Sequence, residues 1–260
     1  MTNFGHSFEK KENLTENEIL KGTEDSEMAK NQGDRWTFVA VLPESSFIHT
    51  VHSAERNLDQ AQVFVRAIKR KSDQKPPLFH SDCWFYEQAL RDNYCIYEAI
   101  PYLGRGRPAH PKQIVDPELC YGQVHKKRDS KGKIENISTR IVLGDETKIF
   151  NIFHHAYRCK TVNTDFVESR NGKYRKDNAR LIRRTLCHSK KAVFHDAHIC
   201  FVTQVYNYTR TIDALKIMIN PNAPMFQPKF QHRTPAMTEN IIDKILSLKE
   251  LLFIRPKLLS

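Results

Sequence analysis

Between residues 35 and 93 the spacing of apolar residues changes repeatedly, and no other stretch restricts the possible folds so much. "RWTFVAVLP" (35–43) is β-branched and aromatic and ends at Pro43, which reads as a strand. "SFIHTVHSA" (46–54) alternates, with Phe47, His49, Val51 and Ser53 on one face and Ile48, Thr50 and His52 on the other. The short "PES" link predicts an antiparallel hairpin between the two. "ERNLDQAQVFVRAIKRKSD" (55–73) sets Leu58, Ala61, Val65 and Ile68 at helical spacing, and its basic end suits the helix dipole. "PPLFHSD" (76–82) predicts a short buried strand ending in Asp82, and "CWFYEQALRDN" (83–93) a helix.

Further along, "PYLGRGRPAHPKQIVDPE" (101–118) is rich in Pro and Gly and predicts a loop. "LCYGQVHKK" and "KIENISTRIVLG" flank the turn "RDSKG" and predict a second hairpin. Helices are expected over 145–160, 166–186 and around "KKAVFHDAHICFVTQVYNYTR". A Pro-rich loop (221–235) then precedes a terminal helix, "TENIIDKILSLKELL". Strand, strand, helix, strand, helix, hairpin and helices make an α/β fold with mixed strand directions, unlike a regular βαβ array. Residues 1–33 are polar, without a clean period, and read as a loosely ordered lead.

The chain has 260 residues, 40% of them hydrophobic, enough to fill a core. Its formal net charge of +11 points to a polyanionic partner, nucleic acid or an anionic membrane surface. No run of eighteen apolar residues exists, so no membrane span is expected, and the first twenty residues carry no apolar signal core. Six cysteines lie widely scattered, the pattern of reduced, buried thiols in a cytoplasmic protein.

"FVESRNGKYRKDNARLIRRTL" (166–186) sets one glutamate, Glu168, ahead of a dense basic run and has little apolar stripe. Asn171 and Arg175 follow at i+3 and i+7, on the helical face of Glu168. Such a charged and amide-lined stripe suits a phosphodiester bound beside a metal ion. Arg170, Lys173, Lys176, Arg180, Arg183 and Arg184 are offset only by Asp177, whereas a solvated face usually mixes signs. Phosphate contacts by this run would release counterions and make binding salt-dependent. The structural alternative for Glu168 is a capping box with Asp165.

Asp82 ends an apolar strand, where open α/β sheets place ligands, and its carboxylate suits a hard cation such as Mg²⁺. The alternative is an N-cap for the helix that begins at Cys83. In "GRGRP" (104–108), Arg105 and Arg107 on a thin backbone could enter a minor groove, or the segment is a plain linker. His154, His155 and Cys159, or Cys187, His188, His195, His198 and Cys200, fall short of a complete zinc pattern. A Cys–His nucleophile pair has no supporting motif, and there is neither a P-loop nor a dinucleotide fingerprint.

"SDCWFYEQAL" and "TVNTDFVESRNGKYRKDNARLIRRTLCHSK" resemble the second and final acidic blocks of DDE transposases of the insertion-sequence "IS-one" type. "GRGRP", "LCYGQVHKKRD" and "RTPAMTENIIDKILSLKELL" are similar to segments of members with an inserted hairpin, so the resemblance runs over about 33–254. It implies an RNase H-like mixed sheet with flanking helices, over 34–220, a hairpin insertion at about 101–145, and a C-terminal loop and helix over 221–260. It implies that Asp82 and Glu168 are two of three metal-binding acids. The implied chemistry is cleavage and transfer of DNA strands at element ends by two Mg²⁺ or Mn²⁺ ions. A homodimer when active and a nucleoid-associated cytoplasmic location follow from the same likeness.

The chain departs from that pattern at the first acid. Asp25, in "KGTEDSEMAKNQGD", is the nearest candidate but is not followed by a strand pattern, and Asp34 better suits a turn. The family's N-terminal zinc-binding and helix-turn-helix segment is missing, and "YNYTRTIDALKI" is a loose version of its usual ending. A truncated or decayed copy, acting as a non-catalytic basic DNA-binding protein, is therefore the alternative. A structure-specific RNase H-like nuclease is a third class.

Overall fold

A computed structural model describes residues 2–7, 34–73, 75–98, 100, 104, 110–131, 133–155, 165–181, 187, 189 and 191–254. The protein is mixed α/β. Strands β1 (Thr2–Ser7), β2 (Asp34–Val41) and β3 (Ile48–Ala54) form one sheet in that order. A turn at 43–45 returns the chain, and the Leu42 amide donates to the Phe47 carbonyl at 2.9 Å.

Helix α1 (Leu58–Lys71) starts where the Asn57 side chain accepts from the Gln60 amide, and it buries Ala61, Phe64, Val65 and Ile68. Three of these belong to the stripe visible in the sequence, and Phe64 completes it. Strand β4 (Phe79–Ser81) is wholly buried, and α2 (Phe85–Asn93) follows it. Phe38 lies at the centre of an aromatic cluster, with ring centroids 5.6 Å from Phe64, 6.3 Å from Phe85 and 6.4 Å from Tyr86. Such offset and edge contacts add to the burial of large rings.

Two strands follow, the second of them inside the 101–118 stretch expected to be a loop. β5 (Cys95–Glu98) pairs antiparallel with β6 (Lys112–Val115). The Pro-Gly content of 101–118 masks "KQIV", whose Ile114 and Val115 pair with Ile96 and Cys95. Strands β7 (Tyr121–Arg128) and β8 (Ile134–Leu143) form the predicted hairpin, and β7 also pairs parallel with β4, giving the order β4-β7-β8. Gly144 closes β8 at φ +87, and a Cβ there would meet the Cys120 Cα and the Leu119 carbonyl at 2.9 Å. Helix α3 (Glu146–His155) packs Ile149 and Phe153 against Cys120 and Val124.

Helix α4 (Asp165–Asp177) is shorter than the 166–186 expected. The chain turns at Asn178, whose carbonyl accepts from Leu181 and whose side chain accepts from the Arg180 amide, and a 3-10 turn occupies 179–181. Asn residues bond locally to backbone in this way and stop helices without Pro or Gly. Helix α5 (Ala192–Thr209) is the long helix of the C-terminal part. Strand β9 (Ile217–Met218), just before the Pro-rich stretch, pairs antiparallel with β10 (Phe230–Gln231) inside it. Of the terminal helix expected over 238–252, only 248–252 is helical, within α7 (Leu248–Phe253), while a short α6 (Pro235–Thr238), capped by Thr234, ends where that helix was expected to begin. Asn240 takes a left-handed φ of 56 between them, and Ser247 with Glu250 builds a capping box for the second.

Contacts divide the chain into two units. Arg35–Val39 and His52–Ser169 belong to the first, Ala40–Val51 and the residues from Arg170 onward to the second. Among the described residues, no helix is long and apolar enough to cross a membrane.

Candidate functional site

The first unit positions Asp82 through the end of β4. Strand β4 is held to β7 in parallel, with Ser81 opposite Gln123, and the Ser81 hydroxyl is hydrogen-bonded to the buried Tyr121 hydroxyl at 2.7 Å. Tyr121 also donates to the Cys83 carbonyl at 3.3 Å, so both neighbours of Asp82 in the chain are pinned. Asp82 is not the N-cap of α2. That position is Trp84, with no side-chain capping bond, which removes the capping alternative.

Strand β7 continues past the end of β4 in the same direction, and its inward face carries Gly122, Val124 and then Lys126. The Lys126 ammonium therefore emerges where β4 stops. It lies 3.9 Å from Oδ2 of Asp82 and forms a hydrogen-bonded ion pair with Oε1 of Glu168 on α4. Two acids far apart in sequence thus meet one nitrogen. The lysine side chain is 17% exposed, against 35% for Asp82 and 49% for Glu168. One ammonium facing two carboxylates leaves a net negative site open to solvent, built from oxygen donors suited to a hard cation. Glu168 is thus engaged across the fold, beyond any local capping role.

Nothing in the local sequence marks Lys126 as strongly as the two carboxylates. Its signal was the alternation in "GQVHKK", where His125 and Lys127 face out and Lys126 shares the face of buried Val124. A lysine on an inward strand face needs a counter-ion, and here it has two.

Behind the site, the Arg56 guanidinium stacks over the Trp36 ring at 4.5 Å and reaches the Cys83 sulfur at 3.6 Å. Burial pushes the Cys83 thiol up, with Arg56 opposing it, so this sulfur is not a ready nucleophile. His80 is buried on β4 against Phe153, and burial lowers its pKa from the usual 6.5 to about 3, so it stays neutral and structural.

The basic helix sorts into inward and outward residues within the second unit. Asn171, Tyr174, Asn178 and Leu181 recur at spacings of three and four and are all buried. Tyr174 donates to the Ile199 carbonyl of α5 at 2.8 Å and bonds the Thr203 hydroxyl. The helix thus lacks an apolar stripe because its buried face is polar and hydrogen-bonded. Asn171, at 6% exposure, serves this packing rather than an open stripe, and Arg175 is half-buried. Arg170 bonds the Tyr206 hydroxyl, and Arg180 reaches the Ser189 hydroxyl at 3.3 Å. Lys173 and Lys176 stay exposed.

Asp25, Arg105, Arg107, Arg183 and Arg184 lie outside the described residues. Asp34 is described only as the first residue of β2. Among the described residues, no group of three or more His, Cys, Asp or Glu side chains could hold a metal ion.

No protein-family model matches the chain, and no curated protein or solved structure shows significant similarity to it.

Proposed function

We propose that this protein is a DDE-type transposase with an RNase H-like catalytic domain, cutting and joining DNA strands at the ends of an insertion sequence. One observation carries the reading: Asp82, at the carboxyl end of a sheet strand, and Glu168, from a helix, reach the same cation. These are the two acids that the sequence resemblance singles out. Two carboxylates plus water and phosphate oxygens suffice for a Mg²⁺ or Mn²⁺ ion. When bound, such an ion supplies Lewis-acid stabilisation of the phosphodiester oxygens. Asp82 and Glu168 hold it, while Ser81 and Tyr121 fix the strand end that carries Asp82. Lys173 and Lys176 are the exposed cations of the basic helix and provide phosphate contacts.

The test is Mg²⁺-dependent nicking and strand transfer on DNA carrying the terminal repeats that flank the coding sequence. Asp82→Ala should lose the activity; equal activity in the variant removes Asp82 from the chemistry.

A second reading has its own support. Lys126 places a fixed positive charge between the acids, the arrangement expected if a cation is no longer recruited. The protein would then be a non-catalytic DNA-binding module, with salt-sensitive binding and no metal-dependent cleavage.

A further inference from the structure

We propose that Lys126 is a built-in counter-cation that holds Asp82 and Glu168 together until a divalent ion enters and displaces it. The inference rests on reading the two carboxylates as ion ligands. Two carboxylates converging on one place repel each other, and each favours a nearby positive charge. Lys126 supplies that charge: its ammonium pairs with Glu168 and stands 3.9 Å from Asp82. It comes from a strand held in register with β4, so its stem is anchored at its base. The head sits on four flexible carbons, so it can leave without moving the backbone.

A divalent ion needs the same oxygens. It binds them at about 2.1 Å, well inside the distance of an ammonium contact, and it carries twice the charge. Ion and ammonium therefore cannot share the space between the acids, and ion entry drives the lysine outward. The same lysine sets a threshold: only a cation that outcompetes a tethered charge occupies the site. It also keeps the carboxylates gathered, so the ion meets a formed pair.

Two measurements test this. In the wild-type protein, Lys126 acetylation by an amine-reactive reagent is followed by mass spectrometry with and without saturating Mn²⁺. Lys127, on the same strand and 66% exposed, is the internal reference. Labelling of Lys126 should rise severalfold with Mn²⁺ while Lys127 does not change; constant or falling Lys126 labelling overturns the proposal. In parallel, Mn²⁺ affinity is read by electron paramagnetic resonance. Lys126→Met should bind Mn²⁺ on the order of tenfold more tightly than wild type, since a like charge near the ion is gone. Unchanged or weaker binding overturns the proposal. Asp82→Asn separates the two claims. If it leaves Mn²⁺ affinity unchanged, the ion-site reading fails and takes this proposal with it. If it weakens binding while Lys126 responds in neither assay, only the lysine proposal fails.

Discussion

The Ser81 and Tyr121 hydroxyls meet at 2.7 Å, one residue short of Asp82. This bond joins the parallel strands β4 and β7 at the point where one ends and the other runs on to Lys126. Tyr121 is fully buried, and burial pushes its hydroxyl well above its ordinary pKa, so it stays protonated and donates to the Cys83 carbonyl. Tyr121→Phe should cost about 1–2 kcal/mol, the loss of a buried hydrogen bond with a partner left behind. Urea unfolding checks this. Ser81→Ala should be non-additive with it, because both remove one interaction; fully additive losses would contradict the pairing.

His80 makes stability depend on pH. It stays neutral in the folded chain down to about pH 3 but takes up a proton near 6.5 when unfolded. Between these values the unfolded state binds more protons, so its contribution is fully present above about pH 6.5 and falls as pH drops. The slope is up to about 1.4 kcal/mol per pH unit. Unfolding free energies at pH 7, 6, 5 and 4 should give a shallower decline in His80→Leu than in wild type. Parallel declines would exclude His80 as the cause.

Asn207, on α5, clamps the backbone of β3 within the second unit. Its side-chain oxygen accepts from the Ile48 amide at 3.0 Å, and its nitrogen donates to the Ile48 carbonyl at 2.9 Å. The side chain thus occupies both bonding positions of a strand residue, buried at 2% exposure. Asn207→Ala removes both partners and should cost about 2–3 kcal/mol. Amide exchange at Ile48 should accelerate with it. A loss below about 0.5 kcal/mol, the size of an ordinary surface change, would contradict the clamp.

Lys173 and Lys176 should set the salt dependence of DNA binding. Each phosphate contact removed lowers the slope of log K against log salt by about 0.9 on duplex DNA. Lys173→Glu with Lys176→Glu should therefore reduce the slope by about two, seen by fluorescence anisotropy over a salt series. An unchanged slope would place the DNA elsewhere.

How far the sequence reveals this fold depends on what buries each element. Helix α1 is legible because Ala61, Val65 and Ile68 are apolar and regularly spaced. Helix α4 is legible as a helix but not in its role, since Asn171, Tyr174 and Asn178 bury a polar face that no hydropathy period displays. Its end at Asp177 is hidden too, because the Asn178 side chain stops the helix by accepting from the Arg180 amide. The break at Asn240 rests on a left-handed residue, while the capping box at Ser247 was readable as Ser-x-x-Glu. Strands β5 and β6 were obscured by flanking Pro and Gly. At the site, Asp82 and Glu168 stood out as carboxylates in place. Lys126 did not, because its meaning comes from the parallel pairing of β4 with β7, a long-range contact that local pattern does not encode.

Asp82 and Glu168 are proposed to share one divalent ion. Anomalous scattering from crystals grown with Mn²⁺ tests it most directly. An anomalous peak is expected about 2.1 Å from a carboxylate oxygen of each residue, with the Lys126 side chain turned away. Well-ordered carboxylates with no peak between them, and Lys126 still bridging the pair at saturating Mn²⁺, would contradict it.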